Sequence, residues 1–187
     1  MEKAVFSTGE IGRILGKGKK NKKKIEQHLN VTFNISKIND LNSISIESKK
    51  EPFNEYTART VLEALAFGFD LDTALQLRDT DFLFRRIDIK AYVKGSRVSV
   101  VKGRIIGMGG KTKRILEKIS DCDIVVRENS VGIIGNNENV DAAGQAILAL
   151  IRGAPASAVY ARLEMSMAKV MELKEEDVEK LIEKKKK

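Results

Sequence analysis

The chain is poor in the residues that most often carry chemistry or hold a cofactor. It has one cysteine, Cys122, and one histidine, His28, in 187 residues. A single cysteine forbids an intrachain disulfide, and with one distant histidine it leaves no zinc site of the usual Cys/His kind. The simplest expectation makes Cys122 a small strand residue and places His28 on a helix surface. Tryptophan is absent and aromatics are 5% of the chain, so extensive stacking of bases on rings is not expected. No stretch approaches 18 apolar residues, and Met1 to Phe6 holds no apolar leader core. A soluble cytoplasmic protein without membrane contact is expected. No carboxylate–histidine or metal-binding constellation is visible, so neither catalysis, a metal nor another cofactor is expected.

What the chain does have is positive charge. Lysine and arginine number 34 against 26 acidic residues, a formal net charge of +8. That excess favours a polyanionic partner, with nucleic acid ahead of membrane. A hydrophobic content of 42% is enough for ordinary globular cores. The length fits one large domain or two small ones.

The stretch around which the rest is organised is Arg104-Ile105-Ile106-Gly107-Met108-Gly109-Gly110-Lys111-Thr112-Lys113-Arg114. Three glycines within four positions let the backbone come close to a ligand. A helix beginning at once presents free N–H groups and a positive dipole end, and Lys111, Lys113 and Arg114 add full charges. The combination suits a phosphate. A nucleotide-binding P-loop needs a glycine five positions before Gly110, where Ile105 stands, and it follows a buried strand, whereas Lys102–Ile106 reads as helix. The dinucleotide-binding G-x-G-x-x-G fails because Thr112 occupies its third glycine. The remaining reading is a G-x-x-G loop, Gly107 to Gly110, between two helices. Such a loop clamps single-stranded RNA backbone in KH domains. The same four-residue pattern can also be an ordinary corner between helices.

Self-comparison supplies a frame. At an offset of 91 residues, Ile14–Ile35 lies over Ile105–Val126 without a gap. Gly16 falls on Gly107, Gly18 on Gly109, Lys20 on Lys111, Lys22 on Lys113 and Glu26 on Glu117. Val31, Phe33 and Ile35 alternate as Cys122, Ile124 and Val126 do, the one-face pattern of a half-buried strand. Ser43–Ile46 and Ser130–Ile133 alternate next. Each copy closes on a long Ala-rich helix, Glu55–Phe67 and Val140–Arg152, with Gly68 and Gly153 in the C-cap position. The order strand, helix, glycine loop, helix, strand, strand, helix therefore occurs twice. In the first copy Lys19 replaces the last glycine, so the loop reads Gly16-Lys17-Gly18-Lys19. Lys17, Lys19, Lys20, Lys22, Lys23 and Lys24 put six cations into eight positions, a secondary RNA-binding patch acting through charge or a solvated helix face.

Along the chain, Lys3–Phe6 is expected as the first strand, with Ser7 or Thr8 capping a helix over Gly9–Leu15. Lys20–Leu29 is a helix, and a polar turn at Asn39-Asp40 joins strands Val31–Ile35 and Ser43–Glu47. Pro52 marks a helix start, Asp70–Leu77 a short capped helix, and Phe82–Ile89 the first strand of the second copy. Gly95–Arg104 leads from a basic loop into the helix before the glycines. Ala156–Met171 reads as helix, with Met165, Met167 and Met171 as packing residues. Glu172–Lys187 reads as a frayed charged helix ending in a Lys184–Lys187 tail. The expected class is α+β. Two tandem type I KH domains, each β-α-α-β-β-α with helices on one face of a three-stranded antiparallel sheet, would span residues 1–78 and 79–154. A helical extension would fill 155–187.

These glycine loops, with the Arg152-Gly153-Ala154-Pro155 step and the Val159-Tyr160 helix, resemble the archaeal homologues of the ribosome-assembly factor Dim-two, called partner of Nob-one in eukaryotes. The resemblance runs from Ala4 to about Lys174. It implies a non-catalytic, monomeric RNA-binding protein acting on the 3′ end region of small-subunit ribosomal RNA. It also implies a Nob-one-type endonuclease and the α subunit of initiation factor two as partners. The RNA-contacting set would be Arg104, Ile105, Ile106, Gly107, Met108, Gly109, Gly110, Lys111, Thr112, Lys113 and Arg114, with Ile115 helping to floor a groove for about four bases. The degenerate loop, from Gly16 and Lys17 through Gly18, Lys19 and Lys20 to Lys22 and Lys23, would be secondary. Alternatives are a protein-interaction scaffold for the endonuclease or the initiation factor, a general KH regulator of RNA, and an enzyme binding ATP in the glycine loop.

Overall fold

The computed structural model describes residues 2–38, 41–48 and 51–185. The expected turn at Asn39-Asp40 and the last two lysines of the tail lie outside the described residues. Two compact units form, Met1–Phe84 and Arg85–Lys187.

In the first unit β1 (Glu2–Phe6) leads to α1 (Thr8–Leu15), a short 3-10 turn over Lys17–Lys19, and α2 (Lys20–Leu29). Ser7 is the N-cap of α1 and forms a reciprocal capping box. Its backbone N–H donates to the Glu10 carboxylate at 2.7 Å while the Glu10 N–H donates back to Ser7 Oγ at 3.4 Å. A cap of this kind stabilises a helix by roughly 1 kcal/mol. β2 (Val31–Ile38) and β3 (Leu41–Ser48) pair antiparallel, and β1 joins the other edge of β3. The register sets Phe33 opposite Ile46 and both Ile35 and Ala4 opposite Ile44. Phe33, Ile44 and Ile46 are fully buried, whereas Ile35 already lies at the exposed end of the inward row. α3 (Pro52–Phe67) begins with proline at its first turn, where no N–H is needed. It buries Ala58, Val61, Leu62 and Leu65. α4 (Leu71–Leu75) is capped by the Asp70 carboxylate, which accepts from the Thr73 N–H at 2.9 Å. That bond, first among several, holds the Asp70 carboxyl below its ordinary pKa.

The second unit repeats the order. β4 (Phe82–Asp88), whose first residues belong to the first unit, stops one residue short of the expected end because Ile89 opens a 3-10 turn capped by Asp88. α5 (Arg97–Ile106), a 3-10 turn over Met108–Gly110 and α6 (Lys111–Ser120) follow. β5 (Asp123–Arg127) pairs antiparallel with β6 (Ser130–Asn136), which is the central strand between β4 and β5. Cys122 precedes β5 by one residue instead of lying in it, because the chain leaves α6 through a left-handed Asp121. Burial in β6 does not alternate as the sequence implied. Residues 130–135 are all buried, in a strand flanked on both edges.

α7 (Asn137–Arg152) and α8 (Ala156–Lys185) complete the unit. Val159, Leu163 and Met167 of α8 join the same core as Ile105, Leu116, Ile124, Ile133 and Ile147. Of the three methionines expected to pack, only Met167 does so; Met165 and Met171 are exposed. Residues two or four apart along a helix sit about 200° or 40° away around its axis, so the three methionines cannot share one narrow seam. Among the described residues no helix is long and apolar enough to cross a membrane.

Candidate nucleic-acid interface

The sequence repeat is reproduced in backbone angles. Gly107 ends α5 at φ 73°, ψ 170°, and Gly16 ends α1 at φ 65°, ψ −179°. Gly109 and Gly18 follow at φ 57° and 66°, in the left-handed region. At the last loop position Gly110 has φ 78° and Lys19 has φ 57°. The lysine thus holds the glycine's conformation at a cost of about 1–2 kcal/mol for an L-residue. The first position tolerates no side chain in either copy. A Cβ on Gly107 would lie 2.3 Å from Thr112 Oγ1, and one on Gly16 would lie 2.7 Å from Asn21 Nδ2. Gly109 and Gly18 face open space instead, with nothing within 4 Å of a Cβ. The first glycine packs the turn against the next helix, and the middle one leaves the backbone bare toward solvent.

The side chains around the second loop divide into presenters and supports. Met108 stands 93% exposed at the tip. Lys111 is exposed and makes no ion pair among the described residues, and its ammonium stands at the start of α6, which no side chain caps. Arg114 turns back, with Nη2 donating to the Gly109 carbonyl at 2.5 Å and Nε to that of Gly110 at 3.4 Å. It therefore braces the loop while keeping an exposed positive charge beside it. Ile106 and Ile115 are half-buried and can offer apolar surface.

Four members of the expected set are engaged by the fold itself. Ile105 is fully buried in the core and offers no floor to a ligand, because its position on α5 faces inward while its neighbour Ile106 does not. Thr112 is buried against Gly107. The Arg104 guanidinium donates from Nη1 to the Leu150 carbonyl at 3.2 Å, satisfying the C-terminal turn of α7. Arg13, its counterpart in the first copy, does the same for the Ala66 carbonyl of α3 at 2.6 Å. Arg104 is thus a capping side chain and not a neighbour of the loop amides. Lys113 pairs with Glu117 at 2.6 Å.

Glu117 was not singled out from sequence, although the repeat aligns it with Glu26. In each copy this glutamate, one turn after a lysine, accepts a backbone N–H from the following strand. Glu117 Oε1 takes Ile124 N at 3.0 Å, and Glu26 Oε1 takes Phe33 N at 3.1 Å. Lys22 lies 3.7 Å from Glu26 and 5.2 Å over the Phe33 ring. Charge at Lys22 and Lys113 is therefore partly spent inside the fold. In the first loop Lys17, Lys19, Lys20, Lys23 and Lys24 remain exposed.

Cys122 is buried, and burial pushes its thiol up to about 11. His28 is exposed on α2, its Nδ1 2.9 Å from the Lys24 carbonyl. Among the described residues no group of three or more His, Cys, Asp or Glu could hold a metal ion.

Comparison with known proteins agrees with this geometry. Residues 83–168 match the eukaryotic-type KH domain (KH-domain type I) in its PNO1 form, second copy. A KH domain-containing protein of Methanocaldococcus jannaschii is 32% identical over 181 residues, covering 93% of this chain and 80% of the relative. The pre-rRNA-processing protein pno1 of Emericella nidulans is 30% identical over 155 residues. There the match covers 78% of this chain but 58% of the longer fungal protein. A chain from the crystal structure of the a/eIF2α–aDim2p–rRNA complex of Pyrococcus horikoshii superposes with a TM-score of 0.78 at 29% identity, covering 88% of this chain and 92% of that one. With the archaeal relative matched over most of both chains and the KH match containing the intact glycine loop, the protein belongs to the PNO1/Dim2 family of KH-domain proteins.

Proposed function

We propose that this protein is a non-catalytic RNA-binding factor of ribosome biogenesis, and that its ligand is the 3′ end region of small-subunit ribosomal RNA. The observation that carries the reading is the 107–110 loop. Bare glycine backbone, a start of α6 without a side-chain cap, and Lys111, which has no ion pair among the described residues, stand next to half-buried Ile106 and Ile115. Phosphates fit the amides and Lys111, and about four unstacked bases fit along the apolar strip. With about four phosphates neutralised, log K falls against log salt with a slope near −3. We read the chain as two tandem type I KH domains, over residues 1–78 and 79–154, with a helical extension over 155–187. The first is a degenerate copy that adds charge. The names of the relatives, an rRNA-processing protein and an rRNA complex, support this reading.

The test is binding of labelled 3′-end RNA, beside a scrambled control, to the wild type and to Gly109→Asp/Gly110→Asp. Aspartate tolerates left-handed φ better than most residues, and neither site is crowded, so the fold is expected to survive; circular dichroism checks this. Loss of sequence-preferring binding supports the reading. Undiminished binding, or no preference over the scrambled RNA, refutes it. A scaffold role alongside RNA binding is favoured by the initiation-factor subunit in the rRNA complex. A Nob-one-type endonuclease is the second protein partner we propose. An RNA-independent stoichiometric complex that survives the loop substitution would identify that role.

A further inference from the structure

One strongly basic feature lies apart from the glycine loop. A cleft of about 570 Å³ is lined by Tyr92, Val93, Arg97, Val100, Arg104 and Arg152, together with Val101, Ile151 and Gly153. Among the described residues no acidic side chain lines it. Arg97, Arg104 and Arg152 make no ion pair among the described residues, whereas Arg59 is held by Glu2 and Glu63 and Arg85 by Asp141. Arg104 uses one N–H on the Leu150 carbonyl and retains four of its five donors. Three guanidinium groups around one concavity, with no ion-pair partner among the described residues, repel one another, and an anion would relieve that repulsion. The walls are not merely charged. Tyr92 is 48% and Val100 62% exposed, over a floor that includes buried Ile151. Arginine beside an exposed ring and aliphatic surface matches a nucleotide, whose phosphate takes the guanidinium and whose base takes the ring and the apolar wall.

The cleft's position on α5 relates it to the loop. Arg97, Val100, Val101 and Arg104 recur at helical spacing on one flank. Lys102 and Ile106, the latter beside the glycine loop, lie about half a turn away around the axis. Between the two flanks the exposed strip of α5 carries Ser99 and Gly103, and nothing lies within 4 Å of a Cβ placed on Gly103. Small residues there let a strand cross the helix without obstruction. We infer that single-stranded RNA held at the glycine loop crosses α5 over Ser99 and Gly103 and enters a second nucleotide subsite formed by Tyr92, Arg97, Arg104 and Arg152. This inference rests on the RNA-binding reading above and extends it. A helix with side chains is about 10–12 Å across, so the crossing takes a few nucleotides beyond the four in the loop.

The experiment compares two single-stranded RNAs from the small-subunit 3′ end, one of about four nucleotides and one of about twelve, chosen to span the loop alone or both subsites. The wild type should bind the longer RNA at least tenfold more tightly. Arg97→Ala/Arg152→Ala and Tyr92→Ala should lose that gain and leave the short RNA within twofold. The double variant should flatten the salt slope on the long RNA by about 1.4, two phosphates at 0.7 each. Gly103→Glu, which places an anion and bulk on the crossing while leaving the cleft intact, should also remove the gain. Circular dichroism and melting keep misfolded variants out of the comparison, and Arg104 is left unchanged because it caps α7. Equal affinity of the wild type for both RNAs would overturn the second subsite and leave the loop reading standing; binding of neither RNA would overturn both. Full long-RNA affinity in Gly103→Glu would refute the crossing path. If polyglutamate displaced the long RNA as effectively as unlabelled RNA does, the cleft would belong to acidic protein segments instead.

Discussion

Replacing Glu117 separates two roles that one carboxylate combines. Its Oε1 accepts the Ile124 N–H at 3.0 Å and the Lys113 ammonium at 2.6 Å. Alanine leaves a part-buried strand N–H without its acceptor, a loss of about 1–3 kcal/mol. The ion pair adds little, because its partners are 30% and 23% exposed and pairs one turn apart on a helix contribute about 0.3–0.5 kcal/mol. Glu117→Ala should therefore cost about 2 kcal/mol. At about 4–8 °C per kcal/mol for a domain of this size, the melting transition of the second unit falls by roughly 10 °C. Glu117→Gln keeps a carbonyl oxygen for Ile124 and removes only the charge, so it should stay within about 0.5 kcal/mol of the wild type. Glutamine also releases Lys113. On the RNA-binding reading the freed ammonium finds a phosphate, and the salt slope steepens by about 0.7. Thermal denaturation read by circular dichroism, with RNA titrations across a potassium chloride series, measures both effects. Equal destabilisation by alanine and glutamine would refute the backbone-anchor argument, and an unchanged slope in the folded glutamine variant would refute the idea that Glu117 withholds Lys113 from the ligand.

Other outcomes follow from the same contacts. Lys19→Gly should raise stability by about 0.5–1 kcal/mol, since it relieves left-handed strain that glycine does not feel. Its denaturation midpoint would rise while low-salt RNA affinity drops slightly with the lost charge. Gly135→Ala should cost about 1–3 kcal/mol, because its Cβ would sit 2.6 Å from Cys122 Sγ in a closed site. Adding Cys122→Ala should recover part of that cost in a double-mutant cycle, and strict additivity would disprove the clash. The buried Cys122 thiol, raised to about 11 from 9.0, is about one part in a thousand thiolate at pH 8. A thiol reagent should therefore react with the native protein only as fast as the second unit opens, and at once in denaturant. Because the unfolded thiol ionises at lower pH, this group's contribution is complete below pH 9 and is lost as pH rises toward 11.

Local signals made much of the fold readable in advance. Paired glycines, alternating strands and glycine-stopped helices occur twice at one offset, and such a coincidence of unrelated signals reports architecture. The left-handed C-caps Asn30 and Asp121, also in register, show how deep the repeat goes. What sequence did not disclose was direction. Arg104 stands three positions before Gly107 in the chain, yet helix rotation turns it to the end of α7. Ile105 and Ile106 are the same residue type, but one is sealed in the core and the other reaches the surface. The strand anchors of Glu26 and Glu117 depend on an N–H seven residues away that becomes a neighbour only after the strand docks. Sequence shows such a pair as an i,i+4 surface bridge, which is the smaller of its two roles.

The two loops have one backbone trace and different chemistry. At its last position the second loop has Gly110, without a side chain, and beside it the exposed ammonium of Lys111, which has no ion pair among the described residues. The first has a lysine in the same left-handed conformation and five exposed cations between Lys17 and Lys24. Contact with backbone amides works only at hydrogen-bond distance and in one register, whereas clustered ammonium groups attract phosphates over about a Debye length, near 8 Å at physiological salt. On the RNA-binding reading, the first copy captures and the second positions. Raising the ionic strength should then slow association, which depends on the first loop's field, more than it shortens the lifetime of a complex set by contacts at the second.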